Sequence, residues 1–444
     1  MEPQTLLPSR PVNLVLRCLA CLVLLAGLGW VIPVNRVMAG GNDNESGEVI
    51  VGLNPFAGAS IDDIDSDHDT KTFRNFEPGS GIYLLQAPDG RDGETLAEDL
   101  ALDPRLLFAE PNSIVQVPPV ADPGGISRWG GLDPTPYPIQ YAIDQLNLAP
   151  AWDISRGAGT VVAVIDTGVQ LDHPELASSL TPGFDFIDND SIPEDTFKGT
   201  DSNGNGLVDE AAGHGTHVAG IIHLVAPDAI IMPLRVLDSD GNGDVFTVAQ
   251  AMVYAIQNHA NVINLSLGTP VQSNLISQLV RAATLNNIVV VAAAGNLNNT
   301  EPQYPAADNC AISVTAVGPN GIKSDFANFG GVDFAASGES IYSSFPQDGY
   351  AYWSGTSMAT PFVAGQAALL HSSHPRLNPR DLASLISKTS HPLDALNPLN
   401  TGMLGMGLID IGNSLKLRVD DDDGDNSGPS FYYGAIGKSC VYKD

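Results

Sequence analysis

Between about Tyr141 and Leu417 the chain alternates short apolar runs with segments of helical spacing, and few architectures accept that alternation. Thr160-Val161-Val162-Ala163-Val164-Ile165 and Met232-Pro233-Leu234-Arg235-Val236-Leu237 are apolar almost without a break, which predicts strands covered on both faces. Helical spacing runs from Phe246 to His259, where Val248, Met252 and Ile256 recur every fourth residue, and again from Leu275 to Leu285. These segments feed the strands Asn261–Ser266 and Ile288–Ala293. Repeated strand–helix–strand units predict an α/β fold with a mostly parallel central sheet. Ligands of such sheets sit beyond the C-terminal strand ends. Asp166, Leu267-Gly268 and Asn296 each fall at or just past one, and that coincidence locates a site.

Gly355-Thr356-Ser357-Met358-Ala359-Thr360-Pro361 flanks one hydroxyl with small residues and runs into an apolar helical stretch. Ser357 then lies near a helix N-terminus, and Pro361 is expected in the first turn, where a missing N–H is tolerated. Taken alone, Ser357 reads equally well as a cap or a nucleophile. Two upstream stretches decide between them. Asp166-Thr167-Gly168 ends a buried strand, and Gly213-His214-Gly215-Thr216-His217 opens a small-residue helix. A serine hydroxyl attacks an amide only with a base in reach, and the base needs a partner that fixes its tautomer. Ala292-Ala293-Ala294-Gly295-Asn296 adds a side-chain amide on a glycine-hinged turn, suited to a developing oxyanion.

The chain here resembles the subtilisin-like serine proteases. The signatures are Val164-Ile165-Asp166-Thr167-Gly168-Val169, His214-Gly215-Thr216-His217-Val218-Ala219-Gly220 and Gly355-Thr356-Ser357-Met358-Ala359-Thr360-Pro361, in the chain order Asp, His, Ser. The likeness spans roughly Ala151 to Ile411. It implies a three-layer subtilisin-like fold, with Asp166 orienting the imidazole, His214 as general base then acid, Ser357 as nucleophile and Asn296 as oxyanion donor. His217 matches a motif position that is not catalytic. Ser266, Leu267 and Gly268 are implied to lie extended along the substrate, with Gly295 beside them. Asp238, Asp240 and Asp244 sit in the other substrate-facing segment, where they either attract basic side chains or form a solvated turn; Glu301 near the specificity pocket is equally ambiguous. Rival readings are a specialised processing peptidase or a silent binding protein, and the presence of all four chemical groups argues against silence.

Asp201-Ser202-Asn203-Gly204-Asn205-Gly206-Leu207-Val208-Asp209-Glu210 offers oxygens at alternate positions with a glycine at the sixth, a calcium-loop pattern. Asp201, Asn203, Asn205, Leu207 and Asp209 are the candidate ligands. The twelfth position is Ala212, so Glu210 has to supply the missing carboxylate; a polar turn is the alternative. Only four residues separate Gly220 from Val225-Ala226-Pro227, too few for a longer calcium loop that many subtilisins carry there.

The 51 acidic and 20 basic residues give a net charge of −31, which excludes nucleic acid and anionic membranes as partners. Protein or peptide substrates and the chain's own propeptide remain. Residues 1–40 read as an export signal, with Arg10 and Arg17 ahead of an apolar stretch from Leu19 to Ile32, implying a secreted or extracytoplasmic protein. An uncleaved anchor is the other reading. Residues 41–120 hold a linker, from about Gly41 to Asp69, and then a small α+β, βαβ-like module. Its run Asp103–Asn112 resembles the end of subtilase inhibitory propeptides. Residues 121–140 form a linker with a processing site, a cut being expected between Val117 and Tyr141; 141–417 form the catalytic domain and 418–444 an acidic tail. Cys310 and Cys440 either pair or leave Cys310 a buried free thiol.

Overall fold

The computed structural model describes residues 47–88, 91–118, 127–199, 201–417 and Cys440. The export signal, part of the 121–140 linker and almost all of the acidic tail lie outside the described residues. Two compact units divide between Asn112 and Ser113.

The first unit is a four-stranded sheet ordered β2-β3-β1-β4, from β1 (Glu48–Leu53), β2 (Lys71–Asn75), β3 (Ile82–Gln86) and β4 (Leu106–Pro111). Neighbours are antiparallel. β3 and β4 both flank β1, so the expected βαβ unit is split by an inserted strand. The stretch expected as a linker is therefore structured from Glu48 onward. Val49, Ile50 and Val51 are fully buried at the sheet's centre. The Ser60/Asp63 pair, whose backbone and side chains satisfy each other, caps the helix Ile61–His68. Acid-rich composition there is the solvent face of a helix, with Ile64 alone buried. Ile64, Leu96 and Leu100 pack under Val49, Val51 and Leu85 to close this small core.

The second unit opens with β5 (Ile114–Gln116) and β6 (Ser127–Gly131). Its main sheet comprises β7 (Val161–Asp166), β8 (Phe184–Asp185), β9 (Ile230–Arg235), β11 (Val262–Leu265), β12 (Val289–Ala293), β13 (Ala311–Val317) and β14 (Phe334–Ser337), while β10 (Asn242–Asp244) pairs with β5. The seven strands are ordered β14-β13-β12-β11-β7-β9-β8 and every pairing among them is parallel. Val162, Val164, Val262, Val289 and Val291 join one core with the helices His214–Val225 and Thr356–Ser373. The alternate residues Ala163, Ile165, Ile263 and Val290 are equally buried and lie outside that core. Helices Val245–Gln257 and Asn274–Leu285 pack on each other and on the sheet. Burial on both faces is why these strands read as apolar runs. β8 and β9, which follow β7 in the chain, lie on one side of it, and β11 to β14 lie on the other, so the strand order reverses at β7. Asp166 ends β7 and Ser266 follows β11, which sets both residues at the switch point. Cys310 and Cys440 form a disulfide with Cα atoms 5.1 Å apart, so the free-thiol alternative falls.

Candidate active site

Asp166 and His214 are both fully buried, and His214 Nδ1 lies 2.7 Å from Asp166 Oδ1. An ionised carboxylate only accepts, so Nδ1 carries the hydrogen and Nε2 presents a lone pair. Thr167 N–H also donates to Asp166 Oδ1, and Thr167 Oγ1 accepts from Gly215 N–H. Gly215 is needed here: a Cβ on it would sit 2.1 Å from Gly168 O. Trp353 stands edge-on to both His214 and His217, with ring centres 5.2 and 5.7 Å away. His217 Nε2 lies 3.1 Å from each of two backbone carbonyls, and burial pushes it down to about 3. It stays neutral, as its structural role requires.

Ser357 is the second residue of the helix Thr356–Ser373 and is almost wholly buried. Pro361 sits sixth in that helix, beyond the first turn where it was expected. Its missing N–H leaves the carbonyl of Ser357 without its intrahelical donor. Ser266 Oγ fills the gap, donating to Ser357 O at 3.0 Å. Ser357 Oγ in turn donates to Ser266 O at 3.2 Å, while the buried His214 Nε2 has no hydrogen-bond partner.

Asn296 accepts at Oδ1 from both the N–H and the hydroxyl of Thr356, each at 2.9 Å. Those bonds fix which way the amide faces and turn Nδ2 toward the cleft. Thr356 Oγ1 accepts from Gly295 N–H, tying the turn to the residue beside the nucleophile. Gly295 has φ +102°, and a Cβ there would meet Asn328 and Gln303 at 2.7 Å.

An extended segment of the chain itself runs through this cleft. Gln116 N–H donates to Gly268 O at 3.0 Å, Gly268 N–H returns to Gln116 O at 2.9 Å, and Val117 N–H donates to Gly241 O. Pro118 O accepts from Asn296 Nδ2 at 3.2 Å. The buried serine, the carboxylate-oriented imidazole and an amide donor on a backbone carbonyl are the kinds of group that acyl transfer requires.

Comparison with known proteins agrees. The profile described as Subtilase family matches residues 157–435. The chain belongs to that family. It is a subtilisin-like serine endopeptidase. Thermitase of Thermoactinomyces vulgaris is 46% identical over 244 residues, covering 52% of this chain and 82% of thermitase. Subtilisin BL of Lederbergia lenta is 35% identical over 275 residues, covering 57% and 96%. The crystal structure of fervidolysin from Fervidobacterium pennivorans shares the fold, with a TM-score of 0.69 at 24% identity over 87% of this chain and 63% of that one.

In this subtilase the acidic loop is arranged differently from its sequence pattern. Asp201 accepts from the N–H groups of Asn205 and Gly206, and Gly206 has φ +88° as its sixth position demands. Glu210 Oε2 accepts from the side-chain amides of both Asn203 and Asn205. Asp209 is turned elsewhere: its carboxylate accepts from Lys198 N–H, Gly199 N–H and Ser239 Oγ. Leu207 is exposed. Among the described residues no three His, Cys, Asp or Glu side chains gather as a metal site. Asp238, Asp240 and Asp244 are likewise engaged within the protein. Asp240 accepts from Ser202 and Asn203 N–H, Asp238 from Asp240 and Asn242 N–H, and Asp244 caps the helix Val245–Gln257. Glu301 is exposed and lines a pocket with Gln303 and Tyr304. Gln303 lies against Gly268 and Gly295, with Tyr304 O also beside Gly268.

Asp195 escaped the sequence reading. Gly213 precedes the helix His214–Val225 and offers no side-chain cap. Asp195 does the capping from a separate loop, accepting from Gly213 N–H at 2.9 Å and from Thr216 N–H and Oγ1 at 3.0 and 2.8 Å. Burial above all pushes its carboxyl up to about 7, with the nearby Asp166 adding to the shift. An acid among Pro193-Glu194-Asp195-Thr196 carries no local mark of that role.

Proposed function

We propose that this subtilase is a secreted endopeptidase that works through an acyl-enzyme and is made as a self-processing zymogen. Ser357 Oγ attacks the substrate carbonyl and passes its proton to His214 Nε2, leaving a tetrahedral oxyanion. Asp166 holds Nδ1–H and stabilises the imidazolium. Asn296 Nδ2 donates to the oxyanion, and its prior fixing by Thr356 means little reorganisation is needed as charge develops. His214 then returns the proton to the leaving nitrogen, and water repeats the sequence on the ester. Backbone pairing with Gly268 and Gly241 holds the peptide whatever its side chains. The single observation that supports this most is the chain's own Gln116–Pro118, extended along those glycines with one carbonyl against Asn296.

Secretion is supported by the leader-like composition of residues 1–40. Calcium is the proposed structural ion. The fit lies in Asp201, Asn203, Asn205 and Glu210, whose polar groups reach one another, with Leu207 O as a carbonyl ligand and Glu210 in place of Asp209. Self-processing is tested with Ser357→Ala, purified away from other proteases. The expected result is an intact chain with no fluorophosphonate labelling, against a wild type clipped between Val117 and Tyr141. Clipping of the variant in that window overturns self-processing.

A further inference from the structure

The cleft holds its own segment in substrate register, and the bond presented to the nucleophile is one that a serine protease handles badly. Gln116 and Gly268 exchange both backbone hydrogen bonds, and β5 pairs antiparallel with β10 on its other edge. In an antiparallel ladder the next such pair lies two residues on, which sets residue 118 opposite residue 266. That pairing calls for an N–H from residue 118 to the Ser266 carbonyl. Pro118 has none.

The consequence is visible at the nucleophile. With no amide hydrogen arriving from Pro118, Ser266 O is left open, and Ser357 Oγ donates to it at 3.2 Å. A carbonyl oxygen is too weak a base to accept the serine proton, whereas the ring nitrogen proposed to accept it, His214 Nε2, is buried without a partner. The attacking hydroxyl is thus held on the wrong acceptor by the residue that occupies the site.

The other side of the bond adds a second obstacle. Pro118 O is the carbonyl that meets Asn296 Nδ2, so the bond after Pro118 is the one on offer. The next residue is Pro119. Cutting there would form the Ser357 Oγ–C bond, break C–N, and move the serine proton through His214 Nε2 onto the leaving nitrogen. In Pro119 that nitrogen bears a ring carbon where an ordinary amide bears hydrogen, and the ring crowds the proton's approach.

We propose that Ile114–Pro118 is a non-cleavable latch. It fills the cleft as a substrate strand, offers a prolyl–proline bond to Ser357, and keeps the enzyme latent until a second, already unlatched copy of the same enzyme cuts the chain elsewhere between residues 119 and 140. This rests on the endopeptidase and zymogen reading above, and it names how latency outlasts docking. The inhibitory strand would then leave the cleft only after that other cut.

The test uses the full chain, wild type and Pro118→Ala/Pro119→Ala, each also with Ser357→Ala, incubated over a range of dilutions. Intact-mass spectrometry reads the fragment ends, and a fluorophosphonate reads Ser357. The wild type is expected to give no fragment ending at Pro118 and to label at least tenfold more slowly before its cut than after. The double variant is expected to release a fragment ending at position 118, at a rate independent of dilution, and only with Ser357 present. Pro119→Ala alone, which changes no contact described for the cleft, is expected to release a fragment ending at Pro118 and serves where the double variant does not fold. A wild-type fragment ending at Pro118 overturns the latch. So does failure of both proline variants to be cut after residue 118 while their processed forms label normally. A processed chain that never labels at Ser357 overturns the protease reading itself, wherever the cut falls.

Discussion

Two regions meet at Gly213 and are built in opposite ways. On one side, the helix that starts at His214 begins in a dry, fully occupied environment. Asp166 and Thr167 each hold one of its first groups and Asp195 holds three, and His214 to Thr216 are buried. On the other, residues 201–208 are exposed and held by bonds onto Asp201 and Glu210, with Asp240 accepting from Ser202 and Asn203 N–H. Such bonds are screened and compete with water, so each contributes little. The lesson is that precision at His214 comes from buried partners, whereas the adjoining loop is held by exposed bonds and is where the proposed ion would add order.

The widest separation between the two regions is expected from chemistry. Asn296→Ala leaves both regions folded but removes the donor that acts in the transition state, lowering kcat by roughly 10²–10³ with KM little changed. Steady-state kinetics on a peptide ester measures it, and normal turnover removes Asn296 from the mechanism. Calcium is expected to distinguish the regions next. Chelation lowers the thermal midpoint, with about 2–3 kcal/mol lost if calcium had been present at 100 times its dissociation constant. Glu210→Gln abolishes that response and Asp209→Ala does not. A chelator-insensitive midpoint rules out the ion.

Asp195 sharpens the buried side. Its native carboxyl titrates near 7, above the ordinary 3.8, so the folded protein holds the proton more tightly than the unfolded chain. Native stability attributable to this group therefore falls as pH rises from about 4 to about 7 and levels off above. Asp195→Asn is expected to flatten that slope in urea midpoints taken across the range, and an unchanged slope contradicts the assignment. The smallest effect is expected in the carboxylates of 238–244. Because capping and turn bonds occupy them, neutralising any one shifts preference for basic residues upstream of the cut by less than about twofold in a peptide library.

The sequence by itself determined the sheet class and singled out the four residues of the proposed chemistry. Continuous apolar runs arise only where strands are covered on both faces, and a strand end, a helix start and a glycine-hinged turn each leave a local mark. Local marks also misled. Pro361 reads as a first-turn residue because the hydroxyl that replaces its missing N–H, that of Ser266, reaches Ser357 O from 91 positions away in the chain. The segment from Glu48 looked like a linker because its one helix is acidic on its exposed face. Tertiary structure alone decided that Asp195 caps the His214 helix, that Thr356 aims Asn296, that Glu210 and not Asp209 faces the asparagines, and that Cys310 meets Cys440. Each is a contact between residues distant in sequence or a choice of side-chain direction, and neither leaves a periodic trace. The docking of Gln116–Pro118 belongs with them, since edge pairing ignores side chains and is therefore invisible in the residues that make it.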